Sequence, residues 1–170
     1  MCHYKSTSNV NTEHTHIEDM LVEEKLKKLG LELPSPPKYK GNYIGAKISS
    51  DRIVFVCGQG PFATSKHGMV GKEITVEEGY KAAQEVCLNS LAQLKRQIGD
   101  LNRVKQVLQV IGLVNSAEGF FDQPKVMNGF TDLLVELFGD PEGKPARAAL
   151  PAHFPGWIIV EAWMTVELKD

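Results

Sequence analysis

Apolar residues are nearly missing from the first 16 positions, MCHYKSTSNVNTEHTH, so burial cannot offset the entropy of ordering them. A flexible leader is expected over residues 1–16. HIEDMLVEEKLKKLGLELP follows, where Ile17, Leu21, Lys25 and Lys28 trace one stripe and Met20, Val22, Leu26 and Leu29 another. That spacing predicts a helix over 17–30, with Thr15 as N-cap, Glu18 and Asp19 at its positive end, and Gly30 as the stop. The prolines of PSPPK (34–38) lack N–H donors and restrain their predecessors, which predicts a stiff connector. Residues 17–38 therefore read as an appended helix and linker ahead of a main domain at 39–170.

In the main domain, NYIGAKIS and RIVFVCGQ flank a Ser-Asp turn and predict an antiparallel hairpin. Glycines and a proline punctuate 57–72 as a loop. From Thr75, a natural N-cap, the positions Tyr80, Ala83, Cys87, Leu91, Leu94 and Ile98 recur every three or four residues, an apolar helix face stopped by Gly99. VKQVLQVIGLVNS reads as a strand; Val104, Val107, Val110 and Leu113 alternate imperfectly, as in a fully buried strand. Asp122 opens a helix over 123–138, with Pro124 in its first turn and Gly139 after it. ARAAL and WIIVEAWMTVEL close the chain as strands. The order β-β-α-β-α-β-β predicts an α+β fold, one sheet with two helices on one face.

The chain's 170 residues suffice for one domain with a hydrophobic core, and 19 basic against 21 acidic residues leave a net charge of −2. No basic stripe exists to displace counterions, which argues against a nucleic-acid partner. No apolar run approaches the roughly 20 residues that cross a bilayer, and the start lacks a signal-peptide core, so a cytoplasmic protein with no membrane association is expected. Cys2, Cys57 and Cys87 form no C-x-x-C pair; His3, His14 and His16 sit in the leader, and His67 and His153 are isolated. No metal site is expected from them. Phosphate-loop, nucleophile-elbow, zinc-protease and dinucleotide signatures are absent too, GQGP at 58–61 having the wrong spacing and leading into a loop.

Few side chains are left for chemistry. Arg147 sits in a small-residue strand between Pro145 and Pro151, where a guanidinium needs a carboxylate or carbonyls if buried. Bidentate capture of a small carboxylate is one reading; an ion pair with a neighbour such as Glu161, or a rim position facing water, is the other. Glu161 interrupts an apolar strand and is either an edge-strand carboxylate or a desolvated group able to hold a water. Cys57 ranks first as a small strand-end residue, then as a pocket liner, since no adjacent base points to a nucleophile. Tyr43 and Asn128 could donate hydrogen bonds to a ligand or serve packing.

GNYIGAK, VFVCGQGP, the block from TVEEGYKAAQEV to VKQVLQV, PKVMNGFTDLLVELFG and PARAALP…VEAWMTVEL occur in register from about residue 31 to 168. Together they resemble the Rid (YjgF-like, endoribonuclease L-PSP) family, especially its branch with a leading helix and an LELP linker. The resemblance implies a chorismate-mutase-like fold of bacillary type, a homotrimer, and sites in the clefts between subunits. It implies hydrolysis of 2-imino and enamine acids to 2-oxo acids and ammonia without metal or cofactor. Arg147 matches the arginine that binds the substrate carboxylate, Tyr43 the aromatic of the first strand, Cys57 a frequent serine, and Ala149 the small residue two beyond the arginine. Where active members often read V-E-I-E-A, this chain reads IIVEA, so Ile159 falls on the water-positioning carboxylate and Glu161 on the second glutamate. LPAHFPGW is shorter and bulkier than the family's segment, and only a register slip of two would bring Glu161 to the same face. Imine hydrolysis ranks first, a trimeric carboxylate-binding protein lacking efficient water activation second, and ribonuclease action last.

Overall fold

The computed structural model describes residues 20–154 and 158–170. Thr15, Cys2, the three leader histidines and Trp157 lie outside them. Among the described residues five strands form one mixed sheet: β1 (Ala46–Ile48), β2 (Ile53–Gln59), β3 (Val104–Asn115), β4 (Ala146–Ala152) and β5 (Val160–Leu168). Their order is β1-β2-β5-β3-β4, with every neighbouring pair antiparallel except β3–β4. Among the described residues three helices accompany the sheet: α1 (Val22–Lys28), α2 (Val76–Ile98) and α3 (Gln123–Phe138).

The α2 start follows the expected chemistry. Thr75 Oγ1 accepts from Glu78 N at 3.1 Å while Glu78 Oε2 accepts from Thr75 N at 2.9 Å, satisfying two otherwise orphaned donors. Gly99 and Gly139 follow α2 and α3 at φ +85° and +83°, a region that penalises any Cβ. Asp122 precedes α3 without capping it through its side chain; Pro124, whose missing N–H costs nothing there, sits in the first turn. The helices pack closely where Gly129 meets the Tyr80 carbonyl, a contact with no room for a side chain.

The spacing of three among Val104, Val107 and Val110 has a specific cause. These valines oppose Leu168, Val166 and Met164, a spacing of two, because the register shifts between 104/106 and again between 107/109. Each bulge inserts one residue and keeps the next valine on the helix side. All three are at most 4% exposed. The strand is therefore not buried on both faces: Leu113 is only half-buried, and Val114 replaces it in the core.

Three further expectations change. The first strand begins at Ala46 and leaves Tyr43 ahead of it, because β2 bulges opposite Gly45: Cys57 N still bonds the Gly45 carbonyl at 2.9 Å, but Val56 and Gln59 pair with Met164 and Ala162, two residues apart. The last strand begins at Val160, after Ile158 and Ile159. In the first helix Val22 and Leu26 are buried, whereas Leu21 of the first stripe and Leu29 of the second are 53% and 44% exposed, so only part of the second stripe docks. Glu24 accepts from Leu21 N at this helix's start, Asn102 Oδ1 accepts from Val22 N at 3.0 Å, and Lys25 Nζ donates to the Leu137 carbonyl near the end of α3 at 3.0 Å. α1 thus packs on the end of α3 and on the 3-10 turn Leu101–Arg103 that follows α2.

Even-numbered β5 residues from Val160 to Leu168 are buried beneath the helices, while odd-numbered Glu161, Trp163, Thr165 and Glu167 face the other side. That second face also carries Phe55 and Leu150, 55% and 48% exposed. No helix of the described residues is long and apolar enough to cross a membrane.

Candidate functional site

The candidate residues fall into two groups. The first is built on β4 and α3. β4 runs parallel to β3, with Arg147 opposite Val110 and Ala149 opposite Gly112, so both face the helices. Ala149 packs against the core. Arg147 reaches across to α3: Nη1 donates to Asn128 Oδ1 and Thr131 Oγ1, both at 2.9 Å, and Nη2 to the Pro124 carbonyl at 3.3 Å. Asn128 and Thr131 stand three apart on the helix, hence on one face. All three acceptors are neutral, and among the described residues no carboxylate lies within ion-pair distance of Arg147. The ion pair with Glu161 is excluded by the sheet: Arg147 is level with Val110 and Glu161 with Leu113, on opposite faces and two strands apart. Partial burial lowers the pKa of the guanidinium, and nearby Asp132 raises it in part. It remains cationic throughout the physiological range.

The second group surrounds a cavity of about 860 Å³ at the end of the β2–β5 pair. Tyr43, Gly58 and Glu161 line it, together with the Pro34–Lys40 connector and the loop after β2. Tyr43 is half-exposed, its hydroxyl accepting from Lys40 N at 3.2 Å and its ring 5.8 Å from that of Tyr39. Glu161 does not blunt a sheet edge, because β5 is the central strand. Its side chain occupies the space a Cβ on Gly58 would need, which explains the glycine. Cys57 sits in the bulge beside it. Burial pushes the thiol up and the Glu161 charge adds to this, while the Gln59 amide, 3.0 Å from Sγ, pulls back. A thiol held protonated is a pocket neighbour rather than a nucleophile. Cys87 is fully buried in the core and its pKa is raised further.

Ile159 is 2% exposed and belongs to the hydrophobic core, and Asn115 N bonds its carbonyl at 2.8 Å. No carboxylate occupies that position, so Glu161 is the strand carboxylate that reaches the cavity. His67 lines the cavity as well, and His153 is exposed. Among the described residues no group of His, Cys, Asp and Glu could hold a metal ion.

Sequence reasoning did not place Asn128, Thr131 or the Pro124 carbonyl against Arg147, nor Asn89 and Gln93 at the cavity. The signal for the last two was legible: two amides four apart inside the apolar stretch VCLNSLAQL. Polar groups buried at 5% and 2% exposure must serve something.

Residues 23–152 match the family model described as "YjgF/chorismate_mutase-like, putative endoribonuclease". Protein TCP17 of Trypanosoma cruzi is 35% identical over 153 residues, 88% of this chain and 95% of that protein. Two crystal structures superpose closely. The protein Atu1372 of Agrobacterium tumefaciens is 33% identical at a TM-score of 0.80, covering 93% of this chain and 100% of its own. A protein from Shewanella oneidensis MR-1 named "putative endoribonuclease" is 33% identical at a TM-score of 0.82, covering 88% and 100%. The mixed α+β sheet, the in-order motifs and these matches agree: the chain belongs to the YjgF/chorismate mutase-like family.

Proposed function

We propose that this protein hydrolyses 2-imino and enamine acids to 2-oxo acids and ammonia, in a cleft between neighbouring subunits of a homotrimer. The observation that carries this reading is the state of Arg147: a guanidinium positioned by three neutral acceptors, with no acid among the described residues paired to it. Such a group is preorganised for a small carboxylate. In one chain it lies away from the cavity that Glu161 lines, on the opposite sheet face. A neighbour that brings its Arg147 to this cavity completes the site. The exposed apolar face with Phe55 and Leu150 gives subunits a surface on which to meet.

The chemistry is a balanced addition and elimination. Arg147 of one subunit binds the carboxylate of the imino acid, and Glu161 of the next orients a water. The water oxygen bonds to the imine carbon and a water proton passes through Glu161 to the nitrogen. The carbinolamine hydroxyl then gives its proton, again through Glu161, to the amine nitrogen; the carbon–nitrogen bond breaks as the carbonyl forms, and ammonia leaves with the 2-oxo acid. Orientation and charge complementarity supply the rate, with no covalent intermediate.

A second reading is favoured by the burial of Ile159: the assembly binds carboxylates with little catalysis. The two separate in one assay. With 2-iminobutanoate generated in situ by an amino-acid oxidase, the protein is expected to speed imine loss above the buffer rate. No acceleration by a trimer that still binds 2-oxobutanoate would overturn the hydrolase reading in favour of the binding one.

A further inference from the structure

One face of α2 carries Glu85, Asn89, Gln93 and Arg96 at spacings of 4, 4 and 3, so these four side chains stand in a single row. Each reaches a segment that walls the cavity. Glu85 Oε2 accepts from Phe62 N at 3.0 Å and from the Ser65 hydroxyl. Asn89 Nδ2 donates to the Gly60 carbonyl at 2.9 Å. Gln93 Nε2 donates to the Pro37 carbonyl at 2.8 Å, and the Arg96 guanidinium lies 4.9 Å above the Tyr39 ring. Phe62 and Gly60 belong to the loop after β2, Pro37 and Tyr39 to the connector before β1, and all four line the cavity. Neither wall is a strand or a helix. Their separation is therefore set by this row of side chains rather than by a backbone ladder.

Gln93 shows that the row is kept at a cost. Its Oε1 is buried and makes no hydrogen bond, the one such side-chain atom among the described residues. It packs on Gly45, where any Cβ would overlap the amide. An apolar residue of similar length would fill this place without the orphaned oxygen. What such a residue lacks is the donor that ties down Pro37.

Resting on the proposed site, we infer that Asn89 and Gln93 are specificity-determining positioning residues. By holding the two walls to one helix they fix the cavity's width, and thereby the size of substrate side chain it admits. Discrimination between a short and a bulky 2-imino acid is then a property of this row, with neither residue taking part in the reaction.

The test uses Gln93→Met and Asn89→Leu in the full chain. Both are measured with 2-iminobutanoate and with the imine of phenylalanine, and by calorimetry with the two corresponding 2-oxo acids. For Gln93→Met the expected melting temperature is equal to or above that of the wild type. The ratio of kcat/KM between the short and bulky substrates should shift by about tenfold or more, through KM rather than kcat. Backbone amides of residues 38–43 should exchange faster with solvent. Faster exchange with an unchanged ratio would overturn the inference while leaving the hydrolase reading in place. If the wild type hydrolyses neither imine, the hydrolase reading fails and the ratio of 2-oxo-acid affinities decides the inference. Binding of neither acid would overturn both.

Discussion

Arg147→Ala is expected to lower kcat/KM for imine hydrolysis by about 10²–10⁴-fold, since each hydrogen bond to a charged group contributes about 1.5–3 kcal/mol and the fork makes two. Stability should hardly change. The side chain lies on the edge strand β4, is exposed, and pairs with no acid among the described residues, so its removal strands no buried charge. Arg147→Lys separates charge from geometry. A lysine keeps the positive charge but cannot bond Asn128, Thr131 and a ligand carboxylate in one plane. It should recover only a minor part of the loss, mostly in KM. Steady-state kinetics on both variants, with circular dichroism to verify folding, measures this. Unchanged turnover in Arg147→Ala would remove the clamp.

Glu161→Gln should act on a different parameter. Losing a positioned general acid/base typically removes about 10²–10⁴ in rate, and here the fall should appear in kcat with KM within a few-fold of wild type. Glutamine fills the same volume beside Gly58, so the cavity wall is preserved. Affinity for 2-oxobutanoate should hold or rise slightly, because one negative charge near the guest is gone. A kcat unaffected by Glu161→Gln would mean that no strand carboxylate takes part, Ile159 being buried in the core.

The elements were legible where local rules decide them. Pro124 and Gly139 bracket α3 at Gln123–Phe138, and the Thr75–Glu78 pair starts α2, because caps and stops depend on residues a few positions apart. Registers were not. The threefold spacing of Val104, Val107 and Val110 reads as a buried strand until β5 lies beside it and shows two bulges. Glu161 could be taken for an edge carboxylate because strand order, which places β5 at the centre, is a long-range property. Asn128 was singled out as a ligand contact or packing residue, not as a partner of Arg147, and Thr131 not at all, since only the path of Arg147 across to α3 selects which helix face it meets. The connector at 34–38 reads from its prolines as a spacer, yet it walls the cavity through a carbonyl that carries no sequence signature.

In the proposed site one guest is held by two chains, and complementation measures that directly. Arg147→Ala and Glu161→Gln proteins, each slowed by about 10²-fold or more, are unfolded together and refolded as mixed oligomers. Random assembly gives roughly a quarter of the interfaces an intact arginine from one chain and an intact glutamate from its neighbour. Activity should return to about that fraction of wild type, although neither variant refolded alone recovers any. Mixed trimers, verified by mass, that stay as slow as the parent variants would contradict a shared site.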